Sequence, residues 1–194
     1  MDLIGFAQQN KVLFTTLHLF GVFVSFGTVM IADVFFLKLL KNLNATKIEI
    51  NILRAFSKII WFGLLVIVSA GIFLFLSDID KYSQSAKFLT KMLVVFVIII
   101  NGLFLHFISP KLSSIPFREL MTSSDENIKE VRRLFFAFGS ISSLSWWSAF
   151  ILGIMKTSPA PFQILLTIYL IVLFTGMLIS QVFERIISRR KISN

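Results

Sequence analysis

Long runs of apolar residues, separated by short polar stretches, dominate the pattern along the chain. Each run is close to the roughly 20 residues that an α-helix needs to cross a bilayer. Backbone polar groups cannot stay unpaired in lipid, so apolar runs of this length predict helices. The pattern therefore predicts five transmembrane helices, over residues 12–37, 59–76, 88–108, 134–155 and 164–183.

These helices predict an all-α fold, a bundle of five spans that forms one transmembrane domain over residues 1–194. Composition agrees, since 56% of the 194 residues are hydrophobic and only 15% are charged. Soluble domains carry about 25% charged residues, so this composition excludes that class and makes the lipid bilayer the main partner.

The positive charges predict the direction of insertion. Of the 19 Lys and Arg, 14 lie after spans one, three or five, in the stretches 38–58, 111–133 and 185–191. Basic residues stay preferentially on the cytoplasmic side, so the N-terminus is expected outside and the C-terminus inside. The net charge of +9 is then an orientation signal, and no nucleic-acid partner is expected. The expected location is a bacterial cytoplasmic (inner) membrane.

One inner stretch, SSDENIKEVRRLFF, predicts a helix start ahead of span four. Ser123 or Ser124 is the expected cap, because acids follow in the first turn and basic residues come after them. Span four should therefore extend into the cytoplasm.

The chain contains no cysteine. This excludes disulfides, thiolate haem ligands, iron–sulfur clusters and cysteine-based zinc sites. Any haem or metal must therefore be held by other side chains.

Ionisable residues inside the spans are the main candidates for function, because such groups are costly in lipid. Both histidines of the chain, His18 and His106, fall within predicted spans. They are either ligands and proton carriers or hydrogen-bonding residues between helices. Asp33 is either an interfacial charge near Lys38 or a buried proton-handling group.

Small residues accompany both histidines. His18, Gly21 and Ser25 lie on one face of the first span, and Gly102 lies one turn before His106. Such residues either let helices approach closely or leave room for a flat cofactor beside the imidazole. Counted from Lys11 and Lys111, the two histidines should lie in opposite leaflets, which predicts two separate sites.

Three segments resemble the CopD-like membrane proteins, which include the HemJ-type protoporphyrinogen oxidases. They are HLFGVFVSFG in the first span, RAFSKIIWFGLLVIVSAGIFLFL in the second and KMLVVFVIIINGLFLH in the third. The resemblance covers roughly residues 12–110. It implies haem b bound through His18 and His106, or a role in copper handling. The chain reads TVMIADVFFLK where the HemJ-type first span continues with Trp and a Leu-Pro-Arg segment, so the oxidase activity does not carry over.

The leading hypothesis is a haem b protein in which His18 and His106 are the metal ligands, with Gly21, Ser25 and Gly102 lining the cofactor. It would exchange electrons with a quinone or a partner subunit. The alternatives are a cofactor-free pathway for protons, copper or a small solute, with Asp33 among its titrating groups, and a structural subunit of a membrane complex. Homo-oligomerisation is compatible with each hypothesis, and no catalytic residue is assigned.

Overall fold

The computed structural model describes residues 2–43 and 45–189, and within them every regular element is an α-helix. The helices are α1 (Leu3–Gln9), α2 (Lys11–Asn42), α3 (Lys47–Ser77), α4 (Ile79–Ser83), α5 (Ala86–Ser114), α6 (Phe117–Thr122), α7 (Glu126–Ile154) and α8 (Phe162–Arg189). Their arrangement confirms the predicted all-α fold.

Five of these helices are long and apolar enough to cross a membrane: α2, α3, α5, α7 and α8. They coincide with the five predicted spans, and large apolar side chains are exposed around them. So much exposed apolar surface suits lipid and not water. The chain is therefore an integral membrane protein. We call the end that holds Lys11 and Ala86 the outer end, after the predicted orientation, and the end that holds Asn42 the inner end.

All five long helices exceed the apolar runs that predicted them, and α2 and α3 are the longest. α2 has 32 residues and α3 has 31, so each is about 45–48 Å long. A hydrocarbon core is only about 30 Å thick. The α2–α3 pair therefore projects beyond the membrane, and its basic residues place that overhang at the inner end.

Side-chain caps fix where these helices begin. Thr46 and Glu49 form a reciprocal capping box at the start of α3. Asp125 caps α7 by accepting hydrogen bonds from the backbone N–H groups of Asn127 and Ile128. The expectation of Ser123 or Ser124 as that cap is wrong, because the Asp125 carboxylate is the group next to the free N–H groups of the first turn.

The closest helix contact joins α2 and α3. A Cβ added to Gly21 would lie 2.9 Å from the carbonyl oxygen of Gly63, and one added to Gly63 would overlap Ser25 Oγ. Small residues thus let two backbones touch, which is the usual way in which membrane helices associate. α2 also packs on α7, and α7 packs on α5 and α8. The apolar core between these helices contains Val29, Leu64, Ile67, Val94, Ile98, Trp146, Leu152 and Tyr169.

A second apolar cluster lies at the inner end of the bundle and includes residues of α6. It contains Leu40, Leu43, Leu120, Met121 and Phe136. Leu43 ends α2 in the left-handed conformation, with φ at 52°, and its N–H donates to the carbonyl of Leu39. Glycine usually takes this position, but here burial of the leucine side chain offsets the backbone strain.

Candidate functional site

His18 is anchored to the neighbouring helix through one ring nitrogen. Its Nδ1 lies 3.0 Å from the backbone carbonyl oxygen of Ile67 on α3. A carbonyl oxygen can only accept, so Nδ1 carries the proton and Nε2 keeps its lone pair in the neutral ring. This is the arrangement in which a histidine binds a metal through Nε2 while a second bond fixes the ring.

A glycine of α3 lies beside the same ring. A Cβ added to Gly71 would lie 3.6 Å from Nδ1 of His18, which is an ordinary van der Waals contact. The ring is half-buried between α2 and α3. The imidazole of His18 is therefore held in place and partly accessible near the outer end.

A lysine shares this region with His18. Lys91 on α5 lies at the same end of the bundle, five residues from the start of its helix. Its Nζ is 3.7 Å from the position that a Cβ on Gly153 of α7 would take. Lys87, one turn earlier on α5, donates from Nζ to the backbone carbonyl of Met155. The outer end thus gathers three basic side chains from α2 and α5.

Gly21 and Ser25, expected to line a cofactor, serve the α2–α3 contact in this structure. Both are buried, and Ser25 Oγ donates to the carbonyl of Ile60 at 3.3 Å. The backbone of α3 occupies the space that these small residues leave. They position α3, and through it Ile67, against His18.

The structure does not bring His106 to His18. A Cβ added to Gly102 would lie 3.0 Å from the ring of Trp61 on α3. Trp61 is six residues nearer the inner end of α3 than Ile67 is. His106 lies four residues further along α5, so the two histidines differ by about 15 Å along the bundle. The His106 side chain is exposed, with an edge contact to Phe107.

Asp33 faces the bundle. Its carboxyl group is half-buried on α2 and lies near the side chain of Ser143 on α7. Ser143 lies near the middle of the apolar run 134–155. A proton-handling role for Asp33 stays a prediction.

Charge counting along the sequence missed one buried ion pair. Arg132 on α7 and Glu184 on α8 are only 3% and 2% exposed, and Arg132 Nε donates to Glu184 Oε1. Arg132 also donates to the carbonyls of Leu120 and Ser123 around α6, at 3.2 and 3.1 Å. The signal in the sequence is an acid and a base at the inner ends of consecutive spans.

Among the described residues, no three His, Cys, Asp or Glu side chains come together as a metal-binding group. No family model, curated protein or solved structure matches the chain.

Proposed function

We propose that the protein binds b-type haem through Nε2 of His18 and exchanges electrons with a quinone or a partner subunit in a bacterial cytoplasmic membrane. The observation that carries the proposal is the hydrogen bond from Nδ1 of His18 to the Ile67 carbonyl. It holds the imidazole in one tautomer and one orientation and leaves the other nitrogen for iron.

The residues around His18 fit an axial ligand better than the residues around His106 do. Gly71 lies beside the His18 ring, and α3 supplies the carbonyl that orients the ring. His106 is exposed, and no hydrogen bond to its ring occurs in the described part of the chain. We therefore assign the iron to His18 alone, not to two separate sites.

When bound, haem b supplies one-electron chemistry through its iron. The protein's part is to hold the ring of His18, to keep the site in a low-dielectric bundle and to bring it near the outer surface. Nδ1 of His18 keeps its proton throughout, because the Ile67 carbonyl can only accept.

Visible absorption of the purified protein tests this proposal. The wild type, expressed with ample haem, should show a Soret band, and its absorption bands in the visible region should sharpen on reduction. His18→Ala should remove at least about nine tenths of this absorbance, as expected for loss of a ligand, whereas His106→Ala should retain most of it.

A colourless wild type would overturn the haem proposal. Loss of all absorbance in His106→Ala, with the protein still folded, would instead show that the assignment to His18 alone is wrong. Circular dichroism of each variant separates loss of haem from loss of helix.

A second candidate function is a cofactor-free pathway for protons, favoured by the carboxyl group of Asp33 beside Ser143. In liposomes with an imposed pH gradient, a pH-sensitive dye would then report proton leak through the wild type. Asp33→Asn should reduce the leak at least tenfold, since an amide cannot exchange a proton, and Asp80→Asn on exposed α4 is the matched control. Equal leak through wild type and Asp33→Asn would exclude Asp33 from such a pathway.

A further inference from the structure

Lys91 is a cation placed between helices near the outer end of the bundle. It lies five residues into α5, and its half-buried side chain runs toward α7, where Nζ meets Gly153. A Cβ on residue 153 would make an ordinary van der Waals contact with Nζ, at 3.7 Å. The tip of this lysine therefore lies against the outer end of α7.

In the part of the chain that the structure describes, neither a carboxylate nor a hydrogen-bond acceptor pairs with the Lys91 ammonium group. At the same end, Lys87 Nζ already donates a hydrogen bond to the carbonyl of Met155, and Asp78 Oδ2 lies 4.0 Å from Lys11 Nζ. The ammonium group of Lys91 is therefore left to bind an anion from outside the chain, since a lysine near a membrane face carries its charge to the head-group layer.

We propose that Lys91, with Lys87 beside it, binds the phosphate group of an anionic phospholipid of the outer leaflet. Lys91 lies about 8 Å inside the first residue of α5, and a lysine side chain spans that depth to reach the head-group layer. A lysine ammonium is a compact charge suited to phosphate oxygens. The acyl chains would lie against the apolar faces of α5 and α7. This proposal does not depend on haem.

Native mass spectrometry of the detergent-solubilised full chain tests the proposal. The probes are phosphatidylglycerol and diacylglycerol with the same acyl chains, so that the two differ in the head group that carries the phosphate. Wild type should retain phosphatidylglycerol preferentially, and Lys91→Met should weaken that retention about fivefold, as expected for one basic side chain near a head group. Lys91→Arg should restore it, and Lys81→Met on exposed α4 should bind as wild type does.

Two results would overturn the proposal: equal binding of the two lipids, or unchanged phosphatidylglycerol binding in Lys91→Met. Competition by millimolar inorganic phosphate would assign the site to a free phosphate ion and overturn the lipid assignment. Thermal unfolding of Lys91→Met in detergent shows that the variant is folded. It should unfold no earlier than the wild type, since it removes a half-buried charge.

Discussion

At the scale of single residues, small side chains in this bundle act by letting neighbouring helices approach closely. Gly63 lets α2 and α3 touch through Gly21 and Ser25, whereas Gly27 on the same helix pair has no atom within 4 Å of an added Cβ. Position on the helix face, and not residue type, decides what a glycine contributes.

Gly63→Ala should therefore lower the free energy of unfolding by about 1–3 kcal/mol, because the methyl group overlaps Ser25 Oγ and approaches backbone atoms of α2. Gly27→Ala is the matched control and should raise stability by up to about 1 kcal/mol through helix propensity. Thermal or denaturant unfolding in mild detergent measures both. Equal effects of the two substitutions would contradict a close α2–α3 contact.

At the scale of helices, Arg132 and Glu184 connect α7 to α8 and hold the carbonyl groups around α6. Breaking a buried pair leaves one charge uncompensated, while replacing both partners by apolar residues removes that cost. Exposed pairs such as Lys129 with Glu126 contribute little.

Arg132→Met alone and Glu184→Leu alone should each destabilise the protein by about 3–5 kcal/mol. The double variant should recover most of that loss, although the carbonyls of Leu120 and Ser123 would still lack their donor. Lys129→Met should change stability by less than about 1 kcal/mol. Additive losses in the double variant would show that the two side chains do not stabilise each other.

The contrast between predicted and observed helices has a physical cause. The length of an apolar run reflects the thickness of the bilayer, so these runs predicted all five spans. Their length does not show where a helix ends in water. The capping box at Thr46 and the continuous apolar contacts of α2 extend α2 and α3 well past residues 37 and 59. The short helices α1, α4 and α6 were not predicted, because none has an apolar run long enough to cross the membrane.

The candidate site was predicted in part, for a related reason. Sequence alone drew attention to His18 and Asp33, because ionisable groups in apolar runs are rare. It could not show that Ile67 orients His18, since this hydrogen bond joins two helices and residues 49 positions apart. Nor could charge counting separate buried Arg132 from its exposed neighbours.

At the scale of the whole molecule, the described helices alternate in direction, so the two sides of the membrane follow from one orientation. The basic residues predict that α4 and the turn before α8 lie outside and that α6 lies inside.

Single cysteines test this orientation without background, because the chain has none. An impermeant thiol reagent added to intact cells should label Ser83→Cys and Thr157→Cys, and should label Ser124→Cys only after permeabilisation. All three positions are exposed. Labelling of position 124 alone in intact cells would reverse the orientation.

The buried pair of Arg132 and Glu184 also constrains how the chain is made. The two residues are 52 positions apart, so ribosomal synthesis delivers the arginine well before its carboxylate. Until the last helix emerges, α7 has to keep Arg132 in contact with water or lipid head groups, because no acid can yet neutralise it. Insertion of α7 at its final depth should therefore wait for α8. A nascent chain halted before Glu184 should remain open at its inner end and be a preferred target for membrane proteases.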